Sequence, residues 1–301
     1  MIYQHPLAYL LGLEGVALLR GWAGDYDKDF VVTHLAEVRQ LLANDSLVNH
    51  PGVMVDRADT LTGYRQWSTT YDDGRNSLFD YDEPVMYEIL DALPKGTVLD
   101  AACGTGRYAE HAAAHGHEVI GVDNSSEMLD RARARVSDVD FRIGDLHRLP
   151  LPDDAVDIVV CGLALVHVPD LEPVMAEFAR VLRPGGHLVT ADVHHVLVLA
   201  GSVPIARGPA GEPGLAPAYR HTAGDYIRAA LPVGLQVRRC EEPRHMPRTS
   251  APPATPDAPV DTWDNWPWSL MGMVSGAAWA AFGGPDGMPQ TIICHFQLAD
   301  A

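Results

Sequence analysis

The stretch VLDAACGTGRYAEHAAAHGHEVIGVDNSSEML, residues 98–129, decides the fold. It begins as a short apolar strand, turns through Gly104-Thr105-Gly106, continues as an Ala-rich helix that Gly116 closes, and becomes apolar again up to Asp123. Strand, glycine turn, helix and second strand make a parallel βαβ unit. Ligands of such sheets bind beyond the carboxyl ends of the strands, and glycine lets backbone N–H groups approach a ligand closely. The turn therefore predicts a ligand site.

The same alternation of strands and helices extends along most of the chain. Helical patterns separate short apolar runs, and Ser125 is a good N-cap for one of these helices. We expect an α/β fold, a doubly wound, mostly parallel seven-stranded sheet with helices on both faces. The predicted strands are TVLDAA (97–102), HEVIGVD (117–123), VDFRIGD (139–145), AVDIVVCGLAL (155–165), GHLVTADV (186–193), LQVRRCEE (235–242) and TIICHFQLA (291–299).

Segments outside this alternation suggest three parts. Residues 1–75 form a helical N-terminal extension, because PLAYLLGLEGVALLRGW and DFVVTHLAEVRQLLAN place apolar residues three and four positions apart. Residues 76–242 form the core. Residues 243–301 contain a Pro/Trp-rich excursion and the closing strand of the core. Long excursions of this kind in a compact domain usually carry function.

Composition limits the partners. The chain has 301 residues, a formal net charge of −18 and 47% hydrophobic residues, which suits a globular protein with a real core. This acidity argues against nucleic acid and against an anionic membrane surface, and it leaves a small molecule as the expected partner. We expect a cytoplasmic protein, because the N-terminus lacks a basic leader and the apolar runs are too short to span a bilayer.

The cysteines indicate reduced thiols. Cys103, Cys161, Cys240 and Cys294 are widely spaced, and the sequence has no C-x-x-C pair. Neither a zinc knuckle nor a redox motif is therefore predicted, and no metal site is expected.

The glycine turn alone leaves two ligands open. Gly104-x-Gly106-x-x-Ala109, with Asp123 19 residues past Gly104, also satisfies the fingerprint for NAD. Asp100 argues against a pyrophosphate, because it would repel the phosphates but would suit a ligand with an ammonium group. Asp145 ends the third strand of the alternation, where it could accept a hydrogen bond from an adenine amino group.

Five motifs in order carry a resemblance: VLDAACGTGR, VIGVDNSSEML, GDLHRLPLPDDAVDIVV, LVHVPD and LRPGG. Residues 97–195 resemble the Rossmann-like (class I) S-adenosylmethionine-dependent methyltransferases. DVHH, YRHTAGDYIRAALPVGLQV and HFQL are similar, more loosely, to actinobacterial small-molecule methyltransferases. The resemblance implies S-adenosyl-L-methionine as cofactor and in-line methyl transfer to a small-molecule acceptor. The alternatives are an NAD-dependent oxidoreductase and a non-catalytic or repurposed protein that binds the same cofactor.

The resemblance also assigns residues to parts of the cofactor. The turn would pack against the methionine part, Asp123 would bind the ribose hydroxyls, and aromatic residues of the N-terminal extension would cover the cofactor, where they could attract its cationic sulfur. The implied contacts are Tyr64, Trp67, Tyr71 with Asp72, Asp100, Ala102, Gly104, Gly106, Asp123, Asn124, Met128, Gly144, Asp145, Leu146, Cys161 and Gly162.

Two histidines are candidates for a catalytic base. His167 follows the fourth strand of the alternation and His194 follows the fifth; either could take a proton from the acceptor, and either could instead be structural. His195 would point away from its neighbour on extended backbone. The excursion contains Trp263, Trp266, Trp268 and Trp279. These suit an aromatic or hydrophobic acceptor, and a lid or a homodimer contact is the alternative.

Overall fold

The computed structural model describes residues 1–67, 76–208, 210–245, 254–284 and 286–300, and it divides into two compact units. We call the first the helical unit; it comprises Met1–Ala58, Val196–Ala216 and Arg244–Pro289. The second, the sheet unit, comprises Asp59–His195, Pro217–Pro243 and Gln290–Ala301. The N-terminal segment and the Pro/Trp-rich excursion thus belong to one unit although they lie far apart in sequence.

Twelve α-helices occur in the described residues. They are α1 (Pro6–Ala23), α2 (Lys28–Ala43), α3 (Asp45–Val48), α4 (Thr60–Trp67), α5 (Phe79–Ala92), α6 (Arg107–Ala114), α7 (Ser126–Arg135), α8 (Leu171–Val181), α9 (His195–Leu199), α10 (Ala223–Ala230), α11 (Trp268–Met271) and α12 (Gly276–Ala280). Ser125 caps α7 as expected, because its side chain accepts a hydrogen bond from the Met128 N–H. None of these helices is long and apolar enough to cross a membrane.

The strands of the described residues form three sheets. They are β1 (Ile2–Gln4), β2 (Val53–Arg57), β3 (Thr97–Ala101), β4 (Glu118–Asp123), β5 (Asp140–Ile143), β6 (Val156–Gly162), β7 (Leu182–Val193), β8 (Ile205–Arg207), β9 (Pro213–Leu215), β10 (Leu235–Glu241), β11 (Arg244–His245), β12 (Met288–Pro289) and β13 (Thr291–Leu298).

The main sheet confirms the predicted fold class. It has seven strands in the order β10-β13-β7-β6-β3-β4-β5. Strand β13 runs antiparallel to both of its neighbours, and the other neighbouring pairs are parallel. Strands β3 and β6 therefore lie at the centre, where the chain order reverses. A ligand crevice opens at such a switch point.

Apolar layers cover both faces of this sheet. On one face, Leu99, Val159 and Leu188 pack with α8 and α10. On the other face, Val98 and Val160 pack with α5 and α6. Because both faces are buried, the strands read as continuous apolar runs rather than as alternating ones.

The largest differences from the predicted strand boundaries are in β6 and β7. Strand β6 ends at Gly162, because Leu163 takes a left-handed backbone conformation with φ of 56° and a 3-10 turn follows at Leu165–His167. Strand β7 begins already at Leu182 and includes the Pro-Gly-Gly segment, since Leu182 pairs with Val156 before a register shift.

The helical unit contains a small sheet that the sequence did not predict. Its order is β1-β2-β9-β8. These strands have three to five residues, too few to show a period, and β2 pairs with β1 and β9, both distant from it in sequence. The unit also has a cavity of about 260 Å³ beside the buried Trp263 and Trp266, whereas Trp268 is 58% exposed.

A buried ion pair joins α5 to α6 in the sheet unit. Arg107 donates to both carboxylate oxygens of Asp82, at 3.0 and 2.8 Å, and the Tyr108 hydroxyl donates to the same carboxylate at 2.7 Å. Asp82 is fully buried. A buried charge without its partners is costly, so this bidentate pair fixes the start of α6 against α5.

The substitution Asp82→Ala should lower the free energy of unfolding by about 3–5 kcal/mol, because it leaves the Arg107 charge largely buried without its main partner. Urea denaturation measures the change. The matched control is Asp130→Ala, which removes an exposed partner of Arg133 and should cost less than about 1 kcal/mol. Equal losses for the two variants would contradict the structural role of Asp82.

Candidate functional site

A cavity of about 220 Å³ opens at the carboxyl ends of β3, β4, β5 and β6. All of its walls belong to the sheet unit. They are Thr60, Tyr64, Ala102, Gly104, Val122, Asp123, Asn124, Met128, Gly144, Asp145, Leu146, His147, Gly162, Leu163, Ala164, His167 and Val168. The cavity thus lies where the topology of the sheet predicts a ligand.

Most of the residues expected at the site line this cavity. The sequence placed them after four different strands and on two helices, and the fold brings them to one space. They are Tyr64, Ala102, Gly104, Asp123, Asn124, Met128, Gly144, Asp145, Leu146, Gly162 and the candidate base His167.

The turn after β3 has the backbone geometry that its glycines indicate. Ala102, Gly104 and Gly106 have φ of 57°, 54° and 84°, in the left-handed region that glycine adopts freely. A methyl group on Gly104 would meet no atom within 4 Å, whereas one on Gly106 would meet the side chain of Ala132 at 3.2 Å. Gly104 therefore leaves space at the cavity wall, and Gly106 permits the close packing of α6 on α7.

Asp123 connects the end of β4 to this turn. One carboxylate oxygen accepts from the Gly104 N–H at 2.8 Å, and the other accepts from the Ser125 N–H at 2.9 Å. Burial raises the pKa of Asp123, although these N–H groups favour the ionised form. Each oxygen keeps a second lone pair, so the carboxylate can still accept from a ligand hydroxyl.

Asp100 is buried at the end of β3 without lining the cavity. It is 1% exposed, and one oxygen accepts from the Ala109 N–H at 2.9 Å. The other oxygen, Oδ1, has no hydrogen-bond partner among the described residues. Burial raises the pKa of this carboxyl to about 7. An unpaired buried acceptor beside the turn suits a ligand with a positively charged donor.

His147 lines the cavity and was missed by the sequence analysis. Its backbone N–H and its Nδ1 both lie 2.8 Å from Oδ1 of Asp145. Asp145 also forms an isolated bridge with Arg148, which tightens the turn after β5. The sequence could have indicated His147, because it lies two residues after the expected Asp145.

Tyr64 and His167 form a hydrogen-bonded pair on the cavity wall. The Tyr64 hydroxyl lies 2.9 Å from Nε2 of His167, and Nδ1 of the same ring lies 2.5 Å from the Pro217 carbonyl oxygen. A carbonyl can only accept, so Nδ1 carries the proton and Nε2 accepts from Tyr64. Burial lowers the pKa of His167, which keeps the ring neutral.

Several expected residues are not at the cavity wall. Cys161 is fully buried, and burial raises the pKa of its thiol, while Gly106 serves helix packing. His194 is 3% exposed, and its Nε2 lies 3.3 Å from Glu242. The geometry gives no support to a catalytic role for His194. Trp67 ends α4, and its side chain, like Tyr71 and Asp72, lies outside the described residues.

Thr60, Leu163, Ala164 and Val168 also line the cavity without having been predicted. Thr60 begins α4, and the other residues follow β6. The positive φ of Leu163 turns the chain there. Nothing in a leucine at that position signals such a bend, so only the fold reveals these residues.

Comparison with known proteins agrees with the architecture. Residues 99–190 match the family model described as a methyltransferase domain. An 89-residue segment is 45% identical to a malonyl-[acyl-carrier protein] O-methyltransferase of Yersinia pestis and covers 30% of this chain and 33% of that protein. A 111-residue segment is 37% identical to a demethylmenaquinone methyltransferase of Renibacterium salmoninarum and covers 37% and 47%. The chain thus spans a third to a half of these relatives.

A solved structure extends the likeness of the fold. The DhpI–SAH complex has a TM-score of 0.53 at 20% identity and covers 80% of this chain and 96% of that one. The sheet unit has the class I methyltransferase fold. Residues 99–190, which match the methyltransferase domain, include the turn, Asp123 and most of the cavity wall.

The stability of the protein should respond to pH through Asp100. Its pKa is about 7 when folded and 3.8 ordinarily, so the folded state binds the proton more tightly. This contribution is present below about pH 4 and is lost as pH rises through about 7. The Tm of the wild type minus that of Asp100→Asn should therefore fall between pH 4 and 7 and level off above pH 8.

Scanning fluorimetry of both proteins across this range tests the expectation. The buried Asp192, whose pKa burial also raises to about 7, is present in both proteins, so its effect cancels in the difference. A Tm difference that does not vary with pH would contradict the raised pKa of Asp100.

Proposed function

We propose that this protein transfers the methyl group of S-adenosyl-L-methionine to a small-molecule acceptor. The observation that carries the proposal is the cavity at the switch point of the sheet, where the Gly104 turn and the Asp123 carboxylate share one wall. The two residues that favoured this cofactor over NAD in the sequence are Asp100 and Asp145; Asp145 lines this cavity and Asp100 lies beside it.

The residues present fit this cofactor. The unpaired Oδ1 of Asp100 offers a hydrogen-bond acceptor near the turn for an ammonium group, whose positive charge would favour the ionised carboxylate. Asp123 would accept hydrogen bonds from the ribose hydroxyls, and the Gly144–Leu146 segment with Met128 would hold the adenine. When bound, the cofactor supplies a methyl group attached to a positively charged sulfur, and this sulfur is a good leaving group. A pyrophosphate beside Asp100 would instead meet a buried carboxylate.

The main contribution of the protein to the reaction is to orient the two reactants. Ala102 and Gly104 place backbone at the cavity wall, and Leu163 and Ala164 supply apolar surface that excludes water. Holding two reactants in line can lower a barrier by about 7–11 kcal/mol relative to free encounter. Because the leaving group is good, this orientation is the largest task for the chain.

Tyr64 and His167 would manage the proton of the acceptor. The Nδ1 proton of His167 is held by Pro217, so Nε2 is the basic atom and it faces the Tyr64 hydroxyl. The acceptor proton passes to the Tyr64 oxygen while the phenolic proton passes to Nε2. An acceptor with an acidic proton, such as a hydroxyl group or a ring carbon, uses this pair.

The helical unit has an apolar cavity of its own. Its cavity is walled by Tyr9, Trp263 and Trp266. The polar tips of these rings bond within the protein: the Tyr9 hydroxyl donates to the Ala200 carbonyl, and Trp263 donates to Gln4. The cavity therefore offers apolar ring faces rather than free donors, which suits a flat apolar molecule.

Removing the carboxylate of Asp123 should weaken cofactor binding. We expect Asp123→Ala to lower the affinity for S-adenosylhomocysteine by about 1–3 kcal/mol, as for lost hydrogen bonds to a charged group. Isothermal titration calorimetry measures this, with Asp130→Ala on the exposed face of α7 as the control. Unchanged affinity in a folded Asp123→Ala protein would refute the ribose assignment.

The Tyr64–His167 pair should affect turnover rather than binding. In an assay with labelled cofactor and a panel of phenolic and carbon acceptors, Tyr64→Phe and His167→Gln should lower kcat by about 10²–10⁴-fold. The affinity for S-adenosylhomocysteine should change little. Because burial lowers the pKa of His167, kcat should decline with acid only below the ordinary value of 6.5.

The control is His194→Asn, at a buried histidine away from the cavity. It should keep its kcat if the protein folds. Wild-type kcat in Tyr64→Phe would eliminate the proton pathway. Loss of kcat in His194→Asn alone would assign the base to His194 instead of His167.

A further inference from the structure

We propose that Asp91, His111 and His115 form a binding site for Zn²⁺ or a similar divalent transition metal ion. Asp91 lies near the end of α5, His111 lies in the last turn of α6, and His115 follows that helix directly. The three residues belong to the sheet unit and lie outside the cavity described above.

The donor atoms of these side chains converge. Nε2 of His111 lies 2.9 Å from Oδ1 of Asp91, and Nε2 of His115 lies 3.9 Å from the same oxygen. One donor atom from each of the three residues lies within 4.8 Å of the others. Ligands around a tetrahedral zinc ion with bonds of about 2.0–2.2 Å are about 3.3–3.5 Å apart, so small side-chain rotations would complete the site.

A backbone hydrogen bond sets the tautomer of His115. Its Nδ1 lies 2.7 Å from the carbonyl oxygen of His111. That carbonyl can only accept, so Nδ1 is the protonated atom and Nε2 of the neutral ring carries a lone pair. A lone pair and a carboxylate oxygen therefore face each other, which is favourable when a cation lies between them. Ligating histidines are usually oriented through the other ring nitrogen in this way.

The second imidazole is also held in place. The ring of Tyr87 stacks on the ring of His111, with centroids 3.7 Å apart and planes 2° apart. The ring of His115 also stacks on that of His111, with centroids 4.1 Å apart. In the metal-free protein a proton joins His111 Nε2 to Asp91. Metal binding transfers that proton to Nδ1 of the same ring. Little further ordering is needed, because α5 and α6 already hold all three side chains.

Accessibility and ligand type indicate the ion. The side chains of Asp91 and His115 are each 44% exposed, so an ion can enter from solvent and water can fill the fourth position. Two imidazoles and one carboxylate suit Zn²⁺ and similar borderline ions better than Mg²⁺ or Ca²⁺, which prefer oxygen ligands. The bound ion would link α5 to α6 at the end opposite the Asp82–Arg107 pair.

A second cluster provides the alternative location. Glu14, His34 and Glu37 in the helical unit also bring three donor atoms within 4.8 Å of one another. His34 Nδ1 lies 2.8 Å from Glu14 and 3.6 Å from Glu37, and both His34 and Glu14 are buried. Because a proton on His34 satisfies this contact and solvent access is poor, the exposed site is the better candidate.

Calorimetric titration of the tag-free 301-residue chain with Zn²⁺ tests the proposal, and Mg²⁺ is the negative control. His115→Asn and Asp91→Asn should each lose one bound equivalent of Zn²⁺ or weaken its binding by at least ~10–100-fold. Mutating a residue that only hydrogen-bonds to a metal ligand already lowers the affinity by that factor. Glu14→Gln, the matched control, should bind as the wild type does. Zn²⁺ should raise the Tm of the wild type and not of His115→Asn.

Several results would overturn the site. They are the absence of Zn²⁺ binding by the wild type, wild-type affinity and stoichiometry in His115→Asn, and loss of binding in Glu14→Gln alone. The last result would place the ion at the buried cluster. Tm values without metal verify that each variant is folded, and His111→Gln replaces His115→Asn if the latter is unstable.

Discussion

The hydrogen bond from the Gly104 N–H to the Asp123 carboxylate is the contact on which the site depends. It joins the turn after β3 to the end of β4 at 2.8 Å, so one carboxylate both shapes the turn and remains available to a ligand. The turn needs this support because Ala102 adopts a positive φ of 57° without being glycine. Local strain is tolerated where the surrounding structure fixes it.

Buried charge organises the elements behind this turn. The Asp82 carboxylate receives Arg107 and Tyr108 from the first turn of α6, while Asp100 receives the Ala109 N–H from the same helix. The two carboxylates differ in their hydrogen bonding. Both oxygens of Asp82 have partners, whereas Oδ1 of Asp100 has none among the described residues. The paired group stabilises the fold, whereas the unpaired oxygen is the one proposed to meet a cationic ligand.

The two candidate histidines lie in different environments in the same fold. His167 lies on a 3-10 turn that the positive φ of Leu163 initiates, and its two ring nitrogens are oriented by Tyr64 and Pro217. His194 follows β7 and is enclosed beside Glu242, although the sequence places it equally after a strand. Position after a strand selects candidates, but the bend of the chain beyond the strand decides which of them reaches the cavity.

The sequence by itself determined the strand–helix alternation of the main sheet, because apolar runs and glycine turns are local patterns. Its resemblance to the class I methyltransferases supplied most of the residues of the cavity wall. The sequence could not determine the small sheet β1-β2-β9-β8 or the neighbourhood of His194. The pairings of β2 with β1 and β9, and of His194 with Glu242, join residues far apart in the chain, for which short segments carry no periodic signal. The pairing of Tyr64 with His167, 103 positions away, is of the same kind. Only the packed structure decides it, because closing a loop of that length is driven by the whole core rather than by either residue.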